Sequence, residues 1–151
     1  MSPSKWGPPT WTLFHTLACK IKEEHFKQIS PALFSFIKQI CYNLPCPDCT
    51  QHAAAFLTNI NIPKIIASKQ SLQNFLHFFH NSVNKRKNKP NFEEDRLVNY
   101  NNVNLISAFN NFAVVYNTKG NMKLLADSFH RKQLMQNFTN WFRVNAQYFD
   151  R

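Results

Sequence analysis

A chain of 151 residues with 44% hydrophobic content, fifteen phenylalanines and only two glycines can bury one substantial core. It lacks the glycine that tight hairpins and bulges use, which excludes little but favours helices over sheets. The net charge of +10 suits an anionic cofactor, an acidic partner, nucleic acid or a merely basic surface. No apolar run approaches the roughly 20 residues of a membrane span, and residues 1–5 lack the apolar stretch of a signal peptide. The expectation is a reducing cytosolic or nuclear setting without a membrane, where four cysteines are not a structural disulfide framework.

Residues 1–7 read as an extended lead-in. From about residue 8 to residue 27, Trp11, Phe14, His15, Ala18, Cys19 and Ile21 recur at three- and four-residue spacing. This predicts a helix with Pro8 or Pro9 in its first turn and Thr10 assisting the cap. A second helix is predicted over 30–42, with Ser30 as N-cap, Pro31 at the first helical position and Leu33, Phe34, Ile37, Ile40 and Cys41 as its apolar stripe. The third starts at Cys46-Pro47-Asp48-Cys49 and runs through Ala53, Phe56 and Leu57 to about Thr58. After a loop at 59–63 and a short turn at 64–69, a fourth spans about 71–86. Leu72, Phe75, Leu76, Phe79, His80 and Val83 share its apolar face, and Pro90 lies beyond its basic end. Residues 91–101 read as a polar connection with one helical turn at 93–96. Helical periodicity returns over 103–116 and 127–149, joined by a turn at 117–121.

The expected architecture is all-α. A four-helix bundle with a short fifth turn occupies residues 1–101, and a helical C-terminal extension occupies 102–151. Phe109, Phe112, Val115, Phe129, Leu134, Phe138, Trp141, Phe142 and Tyr148 give that extension too much apolar surface for a free tail. Packing on the bundle together with self-association, as a homodimer, is the expectation.

Cys46 and Cys49 form a CxxC at a predicted helix start. Free backbone N–H groups and the positive end of the helix dipole stabilise a thiolate there. Such a dithiol closes to a disulfide and opens again. Two further segments carry aromatic, histidine and amide groups at helical spacing. In Trp6-Gly7-Pro8-Pro9-Thr10-Trp11-Thr12-Leu13-Phe14-His15, Trp11 and His15 share a face. In Phe79-His80-Asn81-Ser82-Val83-Asn84-Lys85-Arg86-Lys87-Asn88-Lys89-Pro90, His80, Val83 and Asn84 share a face. If these helices meet, they build a slot lined by rings and rimmed by amides and cations. A flat, anionic heteroaromatic cofactor beside a dithiol fits that description.

The three motifs in this order, Trp-Gly-Pro-x-x-Trp-x-x-x-His, Pro-Cys-x-x-Cys and His-Asn-x-Val-Asn-x-Arg-x-x-Lys-Pro, resemble the Erv/ALR flavin-dependent sulfhydryl oxidases over residues 5–101. With a single CxxC, the chain looks like the short forms encoded by large DNA viruses. The resemblance implies a helical bundle holding FAD, with Cys49 next to the flavin and Cys46 meeting the substrate thiolate. It implies cofactor contacts from Gly7, Trp11, His15, His80, Asn81, Val83, Asn84, Arg86 and Lys89, with Tyr100 as a further candidate at the adenine. The implied reaction turns protein dithiols into disulfides, with O2 as acceptor and hydrogen peroxide as product. Lacking a second CxxC, the chain would receive electrons from a separate thiol protein, a small CxxC redoxin. The site of action implied is the cytoplasm of an infected cell or the sites of virion assembly.

Departures from the family pattern are local. Asn88 stands where the family often has glycine, and asparagine tolerates the left-handed conformation of a helix C-cap. His77 and Glu94 occupy the positions of a common structural cysteine pair. Without the flanking motifs, Cys46, Cys49, His52 and either His77 or His80 would read as a zinc site, but one helical turn carrying three ligands disfavours it, and no metal site is expected. His52 is assigned to the helix surface, outside the site. Cys19 and Cys41 are expected as buried free thiols, with a disulfide between them left open. The rival function is a non-enzymatic basic adaptor that binds nucleic acid or assembly partners through Lys85, Arg86, Lys87 and Lys89. No sequence-specific nucleic-acid contact is expected, since charge alone gives only salt-sensitive binding.

Overall fold

Trp6, Thr10, Leu13, Phe14, Leu17, Ala18 and Ile21 are all buried and recur every three or four residues, which makes the first helix the hub of the molecule. In the computed structural model, which describes residues 3–117 and 125–151, this helix, α1, spans Pro3–Lys20. It packs against α5 (Lys69–Arg86), α6 (Leu105–Tyr116) and a 3-10 helix over Glu94–Asn102. Between them come α2 (Phe26–Cys41), α3 (Pro47–Thr58) and the single turn α4 (Ile62–Ile65). The last long helix, α7 (Leu125–Asn145), packs against α2 and leads into a 3-10 turn over Ala146–Tyr148. Apart from one isolated bridge pairing Ile21 with Phe149, the described residues contain helices and connections, as an all-α fold requires.

Several boundaries differ from the sequence expectation, each for a packing reason. The lead-in at residues 3–7 is helical, and Pro8 and Pro9 lie inside α1 instead of opening it. Trp6 at 5% exposure anchors this extra turn to the core, and the Thr10 hydroxyl, rather than capping, donates to the Trp6 carbonyl at 2.6 Å. The helix stops at Lys20, not near 27, because residues 21–25 turn the chain into α2. That helix begins at Phe26, so Ser30 and Pro31 are interior; buried Phe26 and Ile29 extend the stripe by a turn. Ser68 caps α5 through the Ser71 N–H at 3.0 Å, two residues earlier than the pattern suggests. The single turn expected at 93–96 is part of the longer 3-10 helix. Of the turn expected at 117–121, residues 118–121 lie outside the described residues.

Residues after 102 do not hang from the bundle. Leu105, Phe109, Phe112, Tyr116, Leu134, Met135, Phe138 and Phe142 belong to the same buried cluster as Leu13, Leu33, Ile37 and Leu76. The C-terminal strap is tied to the end of α1 by backbone bonds: Asp150 N–H to the Lys20 carbonyl at 2.7 Å and Lys22 N–H to the Tyr148 carbonyl at 2.9 Å.

Candidate functional site

The CxxC sits where a proline-bracketed loop turns into α3. The Thr50 hydroxyl donates to the Leu44 carbonyl (3.3 Å) and accepts the Leu44 N–H (3.1 Å), holding the loop against the first turn. Pro47 occupies the first helical position, where a missing N–H removes no helix bond. Cys46 is the N-cap: its sulfur accepts the Cys49 backbone N–H at 3.3 Å. All four cysteines are free thiols. The two sulfurs of the CxxC occupy different surroundings. Cys46 is half-buried on the loop side, whereas Cys49 is buried and lines a cavity of about 380 Å³ between α1, α3 and α5. Burial, then the hydrogen bond to Cys46 and the Cys46 charge, push the Cys49 thiol up, with Lys87 and Arg86 acting in opposition.

That cavity is walled by Trp6, Trp11, Phe14, Phe56 and Phe79, with Arg86 and Lys87 among its polar groups. Phe56 and Phe79 stack 4.6 Å apart and 8° from parallel, and Phe79 meets Trp11 edge-on at 5.3 Å. Flat apolar walls of this kind suit a flat ring system. A second cavity of about 290 Å³ adjoins it between α1 and α5 and is lined by Pro8, Thr12, His80, Asn84, Lys89 and Tyr100. The two share Gly7, Trp11, Val83 and Lys87 as common walls. Among the described residues no carboxylate lines either, so the cations on their rim suit an anionic ligand that spans both.

Of the residues singled out from sequence, Gly7, Trp11 and Val83 line both cavities, Cys49 and Arg86 the first, and His80, Asn84, Lys89 and Tyr100 the second. Cys46, half-buried, lines neither. His15 and Asn81 line neither and lie behind the wall. His80 stacks on Trp11 at 4.2 Å and 9°, and the His15 Nε2 and His80 Nδ1 are 2.9 Å apart, sharing one hydrogen. His15 in turn stacks on Tyr100 at 5.0 Å. Burial, then His80 and His77, lower His15 to about 3; burial, then His77 and Lys89, lower His80 to about 4. Both rings are therefore neutral near neutral pH. Asn81 uses its amide on the backbone of Phe92, accepting its N–H at 2.7 Å and donating to its carbonyl at 3.1 Å. This fixes Phe92 in a stack with His80 at 5.1 Å.

The turn after α5 aims Lys89 at the second cavity. Asn88 adopts φ 55°, and the Lys89 N–H reaches the Asn84 carbonyl (2.8 Å) while the Asn88 N–H reaches that of Lys85 (3.2 Å). This is a Schellman cap, with asparagine supplying the left-handed residue.

Sequence reasoning left several wall residues unassigned. Trp6 opened the first motif, and Phe56 and Phe79 lie on helix stripes, so their signal was ambiguous with core packing. Phe92 is an aromatic in a polar connection, which is a weak mark. His52, assigned to the surface, is exposed but also borders the first cavity. Cys41 is buried as expected, reaches the same cavity, and burial pushes its thiol up to about 12. Cys19 differs from expectation: it is only half-buried and its thiol donates to Asn101 Oδ1 at 2.9 Å. No group of three or more metal-ligating side chains comes together among the described residues.

Fold and site together define a helical-bundle dithiol protein whose CxxC opens inward onto an aromatic cavity. The chain belongs to the Erv1/Alr family, whose pattern matches residues 8–103. It is 38% identical over 95 residues to the "Putative FAD-linked sulfhydryl oxidase 347L" of Invertebrate iridescent virus 6, covering 60% of this chain and 86% of that one. A second relative, from Invertebrate iridescent virus 3, is 30% identical over 90 residues, covering 60% of this chain and 61% of its own. The FAD-linked sulfhydryl oxidase of African swine fever virus (isolate Pig/Kenya/KEN-50/1950) is 33% identical over 85 residues, covering 56% and 69% respectively. No solved structure matches the chain.

Proposed function

We propose that this protein is an FAD-dependent thiol oxidase that forms disulfides in protein dithiols through Cys46 and Cys49. The observation that carries this reading is the inward placement of Cys49 in the wall of an aromatic cavity that the half-buried Cys46 does not line. Family membership and the names of the relatives support it.

The residues fit the cofactor. Gly7 stands where the cavities adjoin, and a Cβ there would meet nothing within 4 Å, which leaves room for a ligand passing from one to the other. The Trp6 Nε1 is a buried donor in the wall of the first cavity with no protein partner, as a ligand acceptor would explain. Trp11, Val83, Phe56 and Phe79 would hold the flat ring system. Arg86, Lys87 and Lys89 would hold the phosphates, and His80, Asn84 and Tyr100 the adenosine end. His15 and Asn81 would act from behind, by setting the His80 ring and the Phe92 backbone. FAD, when bound, supplies a two-electron acceptor for the dithiol and is itself reoxidised by O2, giving hydrogen peroxide.

The chain's own cysteines do the exchange. A substrate thiolate attacks the Cys46 sulfur of a Cys46–Cys49 disulfide, and Cys49 leaves as a thiolate. A second substrate thiolate then displaces Cys46. The substrate leaves as a disulfide, and its two electrons stay on the pair, which protonates to the dithiol form present here. Lys87 and Arg86 favour the Cys49 thiolate as it is released, against the burial that holds it protonated. Cys19 and Cys41 stand alone in the sequence, so electrons would come directly from a small CxxC redoxin. No helix among the described residues is long and apolar enough to cross a membrane, and the viral relatives point to an infected cell. We assign the cytoplasm or the sites of virion assembly, where resident chemistry keeps thiols reduced and a dedicated oxidase has a task. A homodimer would need faces other than the apolar side of α6 and α7 already used inside the chain, such as that around the exposed Phe78.

Oxygen uptake with dithiothreitol tests the reading. Cys49→Ser and Cys46→Ser should each lower turnover by at least about a hundredfold, as expected for a covalent exchange residue. Uptake by Cys49→Ser at the wild-type rate would refute it.

A further inference from the structure

We propose that Arg131 of α7 and the loop around Cys46 form a carboxylate-binding subsite that selects protein thiols with an acidic side chain beside their reacting cysteine. The proposal rests on the oxidase reading and adds its substrate class. Arg131 lies outside the family-matched residues 8–103, so it belongs to the part of the chain that the shared motifs do not explain.

Arg131 is 2% exposed, yet its Nε has no partner. Its Nη2 donates to Ser128 Oγ at 3.2 Å, and among the described residues no carboxylate pairs with it. Its charge acts on the buried phenol of Tyr116, whose hydroxyl donates to the Ile40 carbonyl at 3.4 Å. The guanidinium therefore lies at the joint of α2, α6 and α7, beneath the loop that leads to the CxxC. There it lines a groove of about 260 Å³ with Pro45, Pro47, Thr50 and Gln51. Both sequence neighbours of Cys46 thus wall the groove, and among the described residues none that lines it is acidic. A buried guanidinium nitrogen left without a partner is costly, and a carboxylate entering the groove relieves that cost through a charge-assisted hydrogen bond. Arginine suits this role because its fixed fork fits a carboxylate in two contacts. A substrate so held would present its cysteine on the outer side of the CxxC, where Cys46 is, while Cys49 stays turned to the cavity.

The test uses the full-length chain and dithiol peptides with amidated C-termini, identical except for Glu, Gln or Lys beside the cysteine. Oxygen uptake gives kcat/KM for each. The Glu-to-Gln ratio should be about ten for the wild type, close to one for Arg131→Gln, and intermediate in Arg131→Lys, which keeps the charge but not the fork. A wild-type ratio near one, or the same ratio in Arg131→Gln, overturns the proposal. If Arg131→Gln does not fold, the wild-type ratio is read against salt: it must fall as ionic strength rises, and a salt-independent ratio overturns the proposal. A Gln peptide with a free C-terminal carboxylate that matches the Glu peptide would assign the site to chain ends and overturn the side-chain assignment. Dithiothreitol turnover in the same preparation reports separately on the oxidase reading, so the two failures are distinguishable.

Discussion

Between His15 and His80 there is room for one hydrogen, with 2.9 Å between the ring nitrogens. Protonating both rings would set two N–H groups against each other. Both bases are depressed, from 6.5 to about 3 and about 4, so the folded chain refuses protons that the unfolded chain accepts. Above pH 6.5 neither state gains by this linkage. As pH falls from there towards 4, stability is lost, by at most about 1.4 kcal/mol per pH unit for each histidine. Thermal melts across that window should show a steep decline, and His15→Gln should flatten it relative to wild type. Equal slopes would mean that the histidine pair does not titrate as described. Gly7 allows a second test at this scale. Gly7→Leu adds a side chain where nothing lies within 4 Å, and removes the entropic cost of a helical glycine, about 0.5–1 kcal/mol. The variant should be at least as stable without cofactor, yet retain little FAD on purification; full FAD occupancy would contradict the placement. The residues that sequence pointed to were those whose chemistry is rare, the CxxC pair, Trp11 and His80. Trp6, Phe56 and Phe79 were not separable from core, because an apolar face against a cavity reads like one against another helix.

At the scale of elements, the cap of α5 decides where Lys89 points. A left-handed residue at φ 55° suits glycine better than asparagine and either better than alanine. Asn88→Gly should raise the denaturation free energy by a few tenths of a kcal/mol, and Asn88→Ala should lower it by about 1 kcal/mol with weaker FAD retention. Urea melts of the two variants check this, and equal stabilities would remove the cap from the account. This cap was legible through the family resemblance, since Asn88 stands where the family often has glycine and asparagine tolerates the same left-handed conformation. The helix starts were less legible. Gly-Pro-Pro reads as a break, yet α1 runs through it because Trp6 and Thr10 are buried against the rest of the fold. Ser30-Pro31 reads as a start, yet Phe26 and Ile29 bury an earlier turn. In both, tertiary burial outweighs the local propensity.

For the whole molecule, the main feature is one core shared by the family-matched region and the C-terminal helices α6 and α7. Phe112 and Tyr116 on α6, with no exposed surface, share a cluster with Leu13 and Leu17 of α1. Periodicity showed that 103–149 must bury an apolar face, but not which surface it would cover, since that partner lies far away in sequence. Phe112→Ala should cost about 3–5 kcal/mol and lower one common transition, with cofactor release and loss of helix coinciding. Circular dichroism and flavin fluorescence tracked through the same melt decide this; separate transitions would mean two independent units.

Whether Cys49 faces a cavity occupied by FAD is tested most directly by the visible spectrum of the purified chain under anaerobic reduction. The wild type should carry flavin bands that bleach on adding dithiothreitol and return with air, and Cys49→Ser should keep the bands without rapid bleaching. A colourless protein that takes up no FAD, or a Cys49→Ser variant that bleaches as fast as wild type, would contradict it.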